Sequence, residues 1–76
     1  MTTLLSASKN QKLRVVKVSG GRGMHHNLAR LQLGVGSVIT VRRNAPFSGP
    51  LLVEQNGMRT ALGRGIAGKI FVEKAE

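Results

Sequence analysis

The sequence predicts a small, mainly β barrel of about five strands with one short helix after the first strand, and three features point to it. Between Asn27 and Leu62 a helical spacing of leucines runs directly into two strand patterns separated by a proline-containing loop. Asn56 and Gly57 between alternating residues form a strong two-residue hairpin signal. The 76 residues allow a single domain, because a chain of this size buries only roughly 60% of the surface its unfolded state exposes.

Residues 1–11 are polar apart from Leu4 and Leu5 and read as a flexible or loosely packed lead-in that pins one leucine against the core. The domain itself is expected over residues 12–76. Lys12 to Val18 alternates imperfectly: Leu13 and Val15 share one face, and Val18 rejoins it only if a bulge intervenes near Val16 or Lys17. Ser19 to Gly23 is glycine-rich and predicts a turn. Met24, Leu28 and Leu31 then recur at spacings of four and three, which predicts a helix over Met24 to Leu33 with Asn27 and Arg30 outward and Gly34 as its stop.

Val38, Ile39 and Val41 open a β-branched strand that runs into Arg42 and Arg43. Asn44 to Pro50 carries two prolines that cannot donate to a ladder, and is read as a loop. Leu51 to Gln55 and Met58 to Leu62 form the hairpin around Asn56 and Gly57, and Lys69 to Glu73 is expected to close the sheet. This order fits an SH3-like barrel. An OB-fold also has five strands and a helix, but its helix usually follows the third strand rather than the first.

The ordered set Leu28, Leu31, Leu33, Gly36, Ile39, Val41, Pro46, Gly49, Pro50, Val53, Gly57, Leu62, Ala67, Ile70, Val72 and Glu73, spread over most of the chain from about Leu13 to Glu73, resembles the FeoA family. That family comprises small cytosolic components of bacterial ferrous iron uptake. The resemblance implies an SH3-like barrel in which Leu28, Leu31 and Leu33 plug the open end. It also implies a non-enzymatic accessory or regulatory role, with the membrane GTPase and ferrous iron permease of the same system as partner. A cytoplasmic protein, peripheral at the inner membrane through that partner, is the corresponding expectation. The chain departs from the family pattern at Gln32, where glycine is usual, at Val35, where proline is usual, and at Gly63 to Ile66, where a charged segment is usual. The last departure leaves open whether a helical turn precedes Ala67.

Other signals point away from catalysis and cofactors. Gly63 to Gly68 spells G-x-G-x-x-G, and Gly63 to Lys69 approaches a P-loop. Both motifs need a following helix, whereas the remaining residues read as a strand, and Ile70 occupies the position where a P-loop needs Ser or Thr. No cofactor is expected. His25 and His26 are weak metal candidates: neighbours on a helix diverge by about 100°, so two rings do not easily share one ion. The absence of Cys excludes a disulfide framework and a thiolate metal site. The hydroxyl side chains have no His and acid at a catalytic spacing.

Twelve Lys and Arg stand against Glu54, Glu73 and Glu76, a formal net charge of +9, so an anionic surface is the natural partner. No apolar run approaches the roughly 18 residues of a membrane helix, and the first eleven residues lack both a basic start and a long apolar stretch, so a soluble, unexported chain is expected. Arg30, Gln32, Arg42, Arg43, Phe47 and Arg59 are the candidate partner-binding residues. The alternative use of this basic surface is RNA binding. Against it, Tyr and Trp are absent and Phe47 and Phe71 lie far apart in sequence, which leaves no evident stacking platform.

Overall fold

The computed structural model describes residues 1–44 and 49–75. Among the described residues, six strands form one antiparallel sheet: β1 (Thr2–Thr3), β2 (Lys12–Val18), β3 (Val38–Asn44), β4 (Leu51–Gln55), β5 (Met58–Leu62) and β6 (Ile70–Lys74), in the order β1-β6-β2-β3-β4-β5. Helix α1 (Arg22–Arg30) lies between β2 and β3, and a four-residue helix α2 (Arg64–Ala67) lies between β5 and β6. The architecture is the expected mainly β, SH3-like one, with one strand more than predicted.

The bulge that the pattern of β2 requires is present. Val15 pairs with Val72 and Lys17 with Phe71, so Val16 is the extra residue and Val18 returns to the core side. A second bulge lies in β3, where Val41 faces Val53 and Arg43 faces Leu52, leaving Arg42 between them. Gly36 N donates to Val15 O and Val15 N to Ser37 O, at 2.8 and 2.9 Å, which ties the approach to β3 onto β2.

Three expectations need correction. The last strand does not close the sheet: β6 pairs with β2 and β1, and among the described residues β5 pairs with β4 alone. The α2 turn carries the chain from one side of the sheet to the other, so the two strands flanking it are not neighbours. The segment read as a loosely packed lead-in instead supplies β1, with Thr2 opposite Val72 and Thr3 opposite Phe71, and the one leucine it was expected to pin against the core is Leu4, which is completely buried. Leu5 follows over Gly68, where an added Cβ would stand 3.1 Å from its Cδ1, so the glycine there makes room for the leucine. The third correction concerns α1, which begins two residues before Met24 and ends at Arg30.

The end of α1 shows why Gly34 is not its stop. Leu33 N donates to Leu28 O at 2.9 Å and Gln32 N to Ala29 O at 3.0 Å, while Gln32 adopts φ 59°. This is the Schellman arrangement, with Gln32 in the left-handed position that glycine occupies at least strain. Leu28 and Leu33 are buried, whereas Leu31 is 39% exposed. Of the three leucines expected to plug the barrel, Leu28 and Leu33 are therefore core, whereas Leu31, helix-spaced from Leu28, is surface. Inner residues of the strands complete the core, among them Leu13, Val15, Ile39, Val41, Leu51, Val53, Ile70 and Val72.

Candidate functional site

Asn56 and Gly57 have φ values of 51° and 81°, the two consecutive positive values of a type I′ turn, so β4 and β5 form the tight hairpin that the dipeptide signalled. Strand alternation then divides β5 between two surfaces. Met58, Thr60 and Leu62 face the core side of the sheet, and Arg59 and Ala61 face outward. Leu62 is buried, but Met58, nearest the tip, extends past the core and is 70% exposed.

On the core side, the end of α1 stands across from this hairpin. Arg30, Leu31 and Gln32 form one wall and Gln55, Met58 and Thr60 the other of a groove of about 130 Å³. Leu31 and Met58 put apolar surface at an opening whose remaining lining is polar and whose charge is positive. Two of the six sequence candidates, Arg30 and Gln32, meet here.

Three others meet on the outward side of the sheet. Arg42 points outward by alternation after buried Val41, and the β3 bulge brings Arg43 to the same side; Arg42 donates from Nε to Glu54 Oε1 at 3.2 Å and from one terminal nitrogen to Asn10 Oδ1 at 3.0 Å. Arg59, directly opposite Glu54 on the neighbouring strand, donates from Nε to the same carboxylate oxygen at 3.3 Å. The Arg42 hydrogen bond, reinforced by that of Arg59 and by both positive charges, holds the Glu54 carboxyl below its ordinary value against the opposing effect of partial burial. Two guanidinium groups thus share one carboxylate, and the triad keeps a net positive charge. Arg43 is exposed beside it, next to Leu52 and Ala61. The sixth candidate, Phe47, lies outside the described residues.

The arginine face and the groove are therefore two surfaces separated by the thickness of β5. Consecutive residues of that strand, Met58 and Arg59, belong one to each. Sequence reasoning grouped the arginines but missed Met58 and Leu31 as exposed apolar partners. The signal for Met58 was available, since a residue directly after a two-residue turn stands at the tip of its hairpin. Leu31 was hidden, because the helical spacing that assigned it to the core breaks at Gln32.

The remaining sequence signals sit elsewhere. His25 and His26 are both exposed on α1, and among the described residues no three His, Cys, Asp or Glu side chains gather as a metal site. Gly63 to Gly68 folds as the single helical turn α2 followed by β6, the turn whose presence the sequence left open. Arg64 in that turn donates to Asn44 Oδ1 at 2.9 Å and to Gly49 O at 3.5 Å, and Asn44 Nδ2 donates to Leu5 O at 3.1 Å. This network fastens α2 and the N-terminal segment to the end of β3. It was not legible in the sequence, since its members lie far apart along the chain. Phe71 has the Lys17 ammonium 5.8 Å from its ring centroid, a cross-strand contact that occupies one face of the ring.

Residues 2–74 match the FeoA domain family. A relative from Methanocaldococcus jannaschii, described as a putative Fe(2+) transport protein A, is 36% identical over 76 residues, which is all of this chain and 90% of the relative. Among solved structures, an iron uptake regulatory protein (FeoA) shares 32% identity with a TM-score of 0.87, covering 96% of both chains. The manganese-activated repressor ScaR in its apo form shares 29% identity with a TM-score of 0.87, covering 96% of this chain but 35% of its own. The fold is thus similar to a whole small protein in one case and to one part of a longer chain in the other.

Proposed function

The chain belongs to the FeoA domain family, and from that membership we propose that it is a non-enzymatic accessory subunit of ferrous iron uptake. It docks on the cytosolic part of the membrane GTPase and ferrous iron permease of the same system, and is held at the membrane through that partner. The observation that carries this reading is the groove on one side of β5, lined by apolar Leu31 and Met58, with the arginine face on the other. Isolated exposed hydrophobic residues are ordinary, but Leu31 and Met58 line one groove whose wall also carries Arg30. That combination of an apolar anchor and a charged rim is what a protein interface presents.

Capture of the transporter's cytosolic region on the immobilised chain at moderate salt tests the proposal. Association is expected, and it should weaken about tenfold or more when both Leu31→Asp and Met58→Asp are introduced, because a desolvated apolar contact is replaced by charge. No association in the nucleotide-free, GDP-bound and GTP-bound states would overturn it.

A further inference from the structure

The sheet ends at β5, and the hydrogen-bond pattern shows what that end offers. The two-residue turn makes Gln55 and Met58 a hydrogen-bonded pair, so the ladder alternates with Val53–Thr60 and Leu51–Leu62 bonded and Glu54–Arg59 and Leu52–Ala61 not. The backbone N–H and C=O of Arg59 and Ala61 therefore point away from β4. Among the described residues no other strand pairs with them. Such an edge is a template for another strand unless something guards it.

We propose that the free edge of β5 receives an acidic, extended segment of the protein partner as an added antiparallel strand. The inference rests on the docking role proposed above and specifies its geometry. A strand laid against β5 sends alternate side chains to the two surfaces that β5 separates. Those on one side fall beside Met58 and Leu31 in the groove and are best apolar. Those opposite Arg59 and Ala61 lie on the arginine face, where Arg42 and Arg59 share the single carboxylate of Glu54 and Arg43 stands alongside. Acidic residues complement that face. A second copy of the chain is a poor occupant, because pairing two β5 edges brings two arginine faces together in a protein of net charge +9.

The probe is a short acetylated and amidated peptide alternating Glu and Val, titrated into the fluorescently labelled full chain at low ionic strength. In the antiparallel register the Glu nitrogens face β5 and the Val nitrogens face solvent. Methylating the Glu nitrogens should weaken binding about tenfold or more through lost backbone hydrogen bonds, whereas methylating the Val nitrogens should leave most of the affinity. Ala61→Pro gives the reciprocal test on the protein. It removes an N–H that points off the sheet while leaving the β4–β5 ladder bonds in place, so the fold is kept and peptide binding is lost. Equal binding of both methylated peptides, no binding of the unmodified peptide, or dimerisation of the chain through this edge in light scattering would each overturn the proposal. If wild type and Ala61→Pro capture the transporter's cytosolic region equally, edge pairing is wrong while docking stands. Failure of wild-type capture removes the docking reading itself.

Discussion

Removal of residues 1–6 is expected to leave a chain that no longer unfolds cooperatively. Leu4 is fully buried in the core, and truncating such a leucine to alanine alone costs about 2–5 kcal/mol. Deletion also strips β1 from β6 and takes away Leu5, whose carbonyl accepts from Asn44 and whose side chain covers Gly68. A domain of this size sits near the lower end of the usual ~5–15 kcal/mol of stability, so these losses consume most of it. Thermal melts followed by circular dichroism should show a broad, low transition. A truncated chain that melts sharply within a few degrees of the parent would show that the N-terminal segment is the dispensable lead-in suggested by its polarity.

Leu28→Ala and Leu31→Ala are expected to differ sharply although they change the same side chain less than one helical turn apart. Leu28 has no exposed surface and sits where α1 meets the core, so its truncation leaves a cavity and costs about 2–5 kcal/mol. Leu31 is 39% exposed at the lip of the groove, and its loss should cost less than about 1 kcal/mol. Urea denaturation of the two variants measures the difference. Equal destabilisation would mean that the helix continues past Arg30 and buries both residues, contrary to the reversal at Gln32.

That reversal also marks the boundary of what the chain reveals when read in one dimension. The bulge in β2 was legible because Val18 can join Leu13 and Val15 only through an extra residue, and the hairpin was legible because Asn56-Gly57 is chemically suited to one turn type. Residues whose environment is set by distant contacts were not. One of Leu4 and Leu5 was expected against the core, but that Leu4 is the one and is completely buried follows from distant contacts that no local pattern announces. The position of β6 beside β2, rather than beside β5, depends on where α2 sends the chain, and four residues of helix carry almost no periodicity. The candidate site followed the same division. Charge identified Arg42, Arg43 and Arg59, but their common surface depends on a bulge that brings Arg43 outward beside Arg42 and on a register that sets Glu54 opposite Arg59. The groove depends on the fold of two elements more than twenty residues apart, so neither Leu31 nor Met58 stood out.

Backbone amide hydrogen exchange of this chain, alone and with the transporter's cytosolic region, tests the docking geometry most directly. The amides of Arg59 and Ala61, which point off the free edge of β5, should exchange quickly in the free chain and be strongly protected in the complex, with Thr2 and Thr3 at the opposite edge unchanged. Protection confined to the β1 edge or to the start of α1, with Arg59 and Ala61 still exchanging freely, would contradict docking through β5.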